Sequence, residues 1–600
     1  MDEVGECESM RNWLAAALVL AMGAAAPAMA ATTADLRFQA LYKREWAWRM
    51  NEFPNRDKAD APIPDRLPKV DPASQERRLA YWLEVRHELD VIPERDLSAA
   101  EAVNYEVYRD QIDVLISQQK FHEYEKPFNS DSSFWSALGF TASRTFHTEQ
   151  DYRNYVAQLN DIPRYFREEE DEMRAGVKRG FTPPRATLVG RDVSVSAIAE
   201  AKDAEATNLW KPFKAMPASV PVAEQATLKA QAREAIEQRV KPAYAELLTF
   251  LRRDYIPHTT ETLAAEALPD GKAYYRAQIK EFTTLDMDPE AIHQLGLSEV
   301  AKIHAQMLEV MKQTGFKGDF PAFLAFLRTD PRFYAKDPQD LLNRAAWIDK
   351  RVDGKLSAYF GWLPRSRFGI EPVPADIAPF YTSARGGTTT YLLNTYDLPS
   401  RPLYNLTALT LHESAPGHAL QGGLAEEQTE LPDFRREVYI SAYGEGWALY
   451  CERLGVEMGM YDTPYDRFGM LTFQMWRAAR LVVDTGVHHK GWTRAQAMAY
   501  LHDNTALADH DIEIEVDRYI SWPGQALSYY LGMMTISDLR AKAEAALGPK
   551  FDIRAFHDTV LSMGSVPMPV LRARIDRFIA EGGRDPMPVT WQKPAAAAAP

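Results

Sequence analysis

Cysteine is almost absent, with two in 600 residues. That excludes a disulfide framework and any cysteine-rich zinc ribbon. No run of lysine or arginine makes the basic patch of a nucleic-acid binder, and the formal net charge is −15. Such an acidic balance favours solubility and says little more. No internal repeat is found. Apolar residues make 46% and charged residues 26%, an ordinary balance that excludes disordered, collagenous and fibrous classes. At about 150 residues per domain the length allows roughly four domain-sized units, which large helical enzymes often fuse into one body.

The N-terminus reads as an address. Arg11 and Asn12 precede the apolar run Trp13–Met22, and small residues end at Ala28-Met29-Ala30. A positive flank, a short apolar core and an A-x-A site make a cleavable signal peptide over residues 1–30. The run is too short for a membrane anchor. No cysteine follows it, so a lipid anchor is not expected. Asp2, Glu3, Glu6 and Glu8 oppose a positive flank, which suggests that Met10 is the true start. Cleavage after Ala30 leaves Cys451 as the sole thiol, as suits an exported protein of the bacterial periplasm.

Helical period dominates the remainder. Leu79–Leu89, Ala100–Gln119, Glu149–Arg174, Val222–Arg253 and Pro289–Thr314 are long, amphipathic and rich in good helix formers. Gly and Pro mark breaks at 180–185 and 369–379. Arg385–Asn394 is β-branched and aromatic after a glycine pair and predicts a short strand, a possible edge for an extended peptide or an ordinary hairpin edge. The expectation is a mostly α chain, with a helical scaffold over 31–270 and a catalytic half over 271–593. The two are not expected to fold independently. The Ala/Pro tail, 594–600, reads as unstructured.

The most informative stretch is Leu411-His-Glu-Ser-Ala-Pro-Gly-His-Ala-Leu-Gln421. The familiar zinc motif H-E-x-x-H places its histidines four apart, on one helix face. Here the spacing is six, which at about 100° per residue leaves the second histidine roughly 120° out of register. Pro416 cannot donate its amide back toward His412, and Gly417 permits unusual dihedrals. The inference is that two residues bulge out and return His418 to the face of His412.

A catalytic zinc takes three protein ligands and keeps a position open for water. Downstream, Ser441–Leu454 reads as a helix carrying Glu445 between two glycines and Glu452 two turns on. Glu445 is the expected third ligand. Glu452 is the competing ligand, or the partner that orients a histidine. Two neutral imidazoles and one carboxylate leave a zinc ion net positive, so that it acidifies a water. Glu413 is then the general base. Either histidine taken alone reads more readily as a buried, satisfied core residue, and it is the string with the downstream Glu that favours a metal site.

These strings, with Glu445-Gly-Trp-Ala-Leu-Tyr450, Asp484-Thr-Gly-Val-His488, Trp522-Pro-Gly-Gln-Ala526 and Phe556-His557-Asp558, resemble the bacterial family known as domain of unknown function 885. The resemblance runs from about residue 36 to 590. That family is similar in plan to zincin metallopeptidases such as thimet oligopeptidase, angiotensin-converting enzyme and carboxypeptidase Taq. Those are helical bodies with a deep channel and carry H-E-x-G-H, where this chain has H-E-x-x-x-G-H. The resemblance implies a small sheet lining the cleft, one Zn2+ per chain on His412, His418 and Glu445, Glu413 as base, and a short peptide substrate. By similarity to the oligopeptidases, Tyr529 or Tyr530 stabilises the oxyanion, unless both pack in the core. His488 is a candidate for binding substrate. His557 is a candidate for substrate or for a helix cap or ion pair, and Arg480 and Arg518 for a terminal carboxylate. A metal- or peptide-binding protein without turnover, and a zinc hydrolase of a non-peptide amide or ester, stay open. No nucleic-acid partner and no membrane anchor are expected.

Overall fold

Helical period becomes helix in the computed structural model, which describes residues 32–54, 61–130, 132–375 and 378–586. The expected signal peptide, 1–30, and the tail, 594–600, lie outside the described residues. The principal helices are α1 (Thr33–Glu52), α2 (Pro72–Asp90), α3 (Ala99–Phe121), α4 (Glu149–Arg179), α5 (Gly271–Thr283), α6 (Pro289–Gln313), α7 (Leu403–Glu413), α8 (His418–Glu426), α9 (Ser441–Glu457), α10 (Pro464–His488), α11 (Asp509–Ser521) and α12 (Ser528–Leu547). Local chemistry sets their ends. Thr148 and Asp151 form a reciprocal capping box at the start of α4, and Gly180, at φ 79°, closes it. The stretch from Val222 is less regular than its period predicts. An α segment Val222–Ala235 passes through a π turn, Ile236–Val240, before Lys241–Phe250. Pro242 has no amide for the α ladder, and the π turn absorbs the missing bond.

A mostly α fold is what the structure shows, with one three-stranded sheet among the described residues, in the order β1-β3-β2. β1 (Gly369–Pro372) pairs parallel with β3 (Thr390–Leu393), and β2 (Ala384–Gly386) pairs antiparallel on its other side. The single strand expected over Arg385–Asn394 is thus a hairpin, because Gly387 turns the chain and its amide donates to the Thr390 carbonyl. β3 is central and β2 is an edge. β1 falls where a loop was expected.

Apolar packing does not divide at residue 270. One core joins α1–α3 to residues 265–578, and a second holds residues 63–67 with 128–256. The two apolar cores thus do not follow that boundary. Tyr42 of α1 and Tyr108 of α3 pack on Phe434, with ring centroids 5.1 and 5.2 Å apart, so the first three helices belong with the half that carries the motif. The centre of this core is α10, buried at every position from Phe468 to His488. A helix buried all round must satisfy its polar side chains internally. Gln474, Arg477, Asp484 and His488 recur at helical spacing, and Asp484 accepts from the Tyr275 hydroxyl at 2.6 Å and from the Gly524 N–H. No helix among the described residues is long and apolar enough to cross a membrane.

Candidate metal centre

The two inserted residues loop out, and the helix is interrupted where they do. α7 ends at Glu413, the Ala415–Pro416 peptide is cis, and α8 starts at His418. The hydrogen bonds show how the register survives. Gly417 N–H donates to the Leu411 carbonyl at 3.1 Å, a bond that the residue at 415 would make in an unbroken helix. Two residues are looped out and the ladder resumes. Only glycine fits at 417, since a Cβ there would stand 1.9 Å from the His412 carbonyl oxygen. Trp447 of α9 ties the loop down, its indole N–H donating to the Pro416 carbonyl at 2.9 Å.

The break brings His412, His418 and Glu445 together, with one ligand atom from each lying within 4.8 Å of the others. Glu445 Oε2 stands 3.5 Å from His412 Nε2 and 3.4 Å from His418 Nε2. Bonds of about 2.0–2.2 Å to a tetrahedral zinc place neighbouring ligand atoms about 3.3–3.6 Å apart, so the donor types and the two distances from Glu445 fit that ion. The electrostatics agree. Burial alone would push the His412 pKa down, but the Glu445 and Glu452 carboxylates outweigh it and carry the value up to about 10. Burial likewise opposes ionisation of Glu445, and the two histidines overcome it and hold its carboxyl well below the usual range. The pocket calls for positive charge between these groups.

Glu452 stands behind His412, outside the set of three. Fully buried, it accepts from His412 Nδ1 at 2.8 Å and from Gln474 Nε2 at 3.3 Å, and Arg477 lies 3.9 Å away. This fixes the proton on Nδ1 and frees Nε2 for a metal. Glu413 Oε2 accepts from the Gly386 N–H at 2.5 Å, so the edge strand β2 aims the carboxylate. The Glu413 charge acts on both His412 and Tyr439. The two glycines around Glu445 have separate causes. Gly446 meets Gly532 of α12, where an added Cβ would lie 2.5 Å from the Gly532 carbonyl carbon; at Gly444 it would lie 2.4 Å from the Tyr439 hydroxyl.

Tyr439 is the residue that sequence reasoning missed. Its hydroxyl donates to Glu445 Oε1 at 3.0 Å, while 58% of the residue stays exposed. The expected tyrosines are placed otherwise. Tyr530 donates to Glu299 at 2.7 Å. The Tyr529 hydroxyl accepts from Arg518 at 3.1 Å, and Tyr529 is near enough to bear on the ionisation of Tyr439. Arg518 also donates to Gln525. Arg480 is buried against Glu515, at 2.7 Å, and Tyr519, at 2.8 Å, which makes it a core ion pair and not a substrate anchor. His488 accepts from Ala265 N–H and donates to the Tyr519 carbonyl. His557 bonds the Tyr450 hydroxyl and the Tyr359 carbonyl. Both histidines are corrected to core residues with both ring nitrogens committed. Burial pulls their pKa values down to about 4 and about 3.

The chain belongs to the bacterial family of proteins of unknown function DUF885, whose model matches residues 55–575. It is similar to two solved structures described as "putative lipoprotein". The one from Colwellia psychrerythraea is 28% identical, covers 91% of this chain and 98% of its own, and superposes with a TM-score of 0.82. The one from Shewanella oneidensis is 18% identical over 90% and 98%, with a TM-score of 0.68. An M32 carboxypeptidase from Deinococcus radiodurans R1 aligns at 14% identity over 85% and 99%, with a TM-score of 0.31, too low to relate the folds. No curated protein matches the sequence.

Proposed function

We propose that this chain is an exported zinc-dependent peptidase acting on short peptides. The observation that carries the reading is the set His412, His418 and Glu445 at zinc-ligand spacing with Glu413 beside it. Relatives described as lipoproteins favour export. When bound, zinc supplies Lewis acidity, polarising a carbonyl and lowering the pKa of a water. The protein's own groups do the rest. Glu413, held by the Gly386 amide, takes the proton from the attacking water and returns it to the leaving amine. Tyr439 sits where its hydroxyl can turn from Glu445 toward a developing oxyanion. β2 is an edge strand next to the base, and its outward backbone groups beyond the Gly386 N–H can pair with an extended peptide.

The test is mass-spectrometric profiling of a mixed peptide library with zinc-loaded protein, chelated protein and Glu413→Gln. Cleavage by the zinc-loaded wild type alone is expected. Cleavage by Glu413→Gln at the wild-type rate would sink the assignment.

A further inference from the structure

A separate cavity of about 260 Å3 lies where the two cores meet, with Phe128 from the second core and Tyr274 from the first on its wall. It shares no lining residue with the metal centre. Its polar groups fall into two sets of opposite sign. One set is Lys126. Its ammonium lies over the rings of Phe181 and Tyr274, at 4.3 and 4.5 Å, and donates to the Tyr274 hydroxyl at 2.8 Å. Among the described residues that hydroxyl is its only acceptor, although an ammonium has three donors. The other set is Glu123, three residues before Lys126 and close enough that each acts on the other's ionisation, and Glu281. Gln278 Nε2 bridges them, at 2.7 and 3.3 Å, and Gln118 donates to Glu281 at 2.9 Å.

Neither set is neutralised by the other at contact distance. Burial pulls the Lys126 pKa down to about 8 and pushes both carboxyls up. A half-buried cation with one hydrogen-bond acceptor and two half-buried carboxyls with no ion pair at contact distance among the described residues line one space. Leu263, Leu268, Ile520 and Trp522 close it with apolar surface. We propose that this cavity binds a small zwitterion of amino-acid or dipeptide size with an apolar side chain, its carboxylate on Lys126 and its ammonium at Glu123 and Glu281. The proposal stands apart from catalysis at the metal centre and survives if that centre cleaves nothing.

The experiment is calorimetric titration of the full chain, metal-free so that no turnover occurs, with L-leucine and L-leucyl-L-leucine. N-acetyl-leucine, which lacks the ammonium, and leucinamide, which lacks the carboxylate, are the comparison ligands. Each is expected to bind about tenfold or more weakly than the free zwitterion. Lys126→Met should weaken the zwitterion by a similar factor and leave leucinamide unchanged, with Lys126→Arg restoring part of the loss. His418→Ala should bind as wild type. No heat for either zwitterion at concentrations on the order of 10 mM, equal affinity for capped and free ligands, or loss of binding in His418→Ala would overturn the proposal. If Lys126→Met does not fold, the comparison of capped with free ligands on wild-type protein decides alone.

Discussion

Glu452→Gln isolates what the buried carboxylate does for the metal. The side chain is fully buried, and its 2.8 Å contact to His412 Nδ1 is charge-assisted. Glutamine keeps the shape and an acceptor oxygen but removes the charge. A charge-assisted bond is roughly twice as strong as a neutral one, so the change costs about 1–2 kcal/mol in the orientation and basicity of His412. Loss of an outer partner of this kind typically lowers metal affinity about 10–100-fold. Competition against a chelator of known affinity reads this directly, and a thermal melt checks that the fold survives. Glu452→Ala is the harsher change. It leaves Arg477, 3.9 Å away, buried without a carboxylate, a loss of about 3–5 kcal/mol that falls on stability and obscures the metal readout. Zinc affinity unchanged in Glu452→Gln, while His412→Ala and Glu445→Ala lose it, would refute the idea that Glu452 tunes the site.

Three further outcomes follow from the same geometry. Gly417→Ala should lower zinc affinity by about 100-fold or more with helix content kept in circular dichroism, because its Cβ would meet the His412 carbonyl at 1.9 Å and push the loop from its place. Tyr439→Phe should lower kcat about 100-fold with KM and zinc content little changed; an unchanged kcat would remove Tyr439 from the chemistry. His488 is held neutral with a pKa near 4, against about 6.5 in the unfolded chain. As pH falls from 6.5 toward 4 the unfolded state takes the proton first, so this group's contribution, on the order of 3 kcal/mol, is present above pH 6.5 and is lost on acidification. Asp484, pushed up to about 7 by burial, acts in the opposite direction. The readout is therefore the difference in denaturant midpoint between wild type and His488→Gln across that window, and a difference independent of pH would contradict the assignment.

Period alone carried the helices well, since Ala100–Gln119 and Pro289–Thr314 lie within or nearly coincide with α3 and α6. It carried nothing about which helices share a core. The division near residue 270 followed a turn in the sequence, whereas the cores divide by contacts such as Tyr108 on Phe434, more than three hundred residues apart. β1 was hidden for a related reason. Gly369-Ile-Glu-Pro372 has neither alternation nor β-branched density, and its pairing comes from β3. His488 and His557 looked chemical because they sit in polar strings. Their partners, a carbonyl and an amide for one, a hydroxyl and a carbonyl for the other, come from remote elements.

At the metal centre the local chemistry was legible, and the long-range chemistry was not. Pro416 and Gly417 announced that the six-residue spacing need not separate the histidines, and the Gly417 amide on the Leu411 carbonyl shows the register kept by looping out two residues. What replaces the rigidity of an unbroken helix is supplied from outside it. Trp447 and Glu452, five residues apart on α9, hold the loop and His412, and Glu445 on the same helix faces both histidines. One helix thus positions both sides of the break, so the insertion in α7–α8 is tolerated only while α9 stays seated. Gly446 against Gly532 is what seats it. Tyr439 had no such signature. It stands in Val438-Tyr439-Ile440, reads as a surface aromatic, and meets Glu445 because Gly444 leaves its ring room. The glycines flanking Glu445 were therefore the available clue: a pair costing about 1 kcal/mol each in a helix marks the two places where something else must come close.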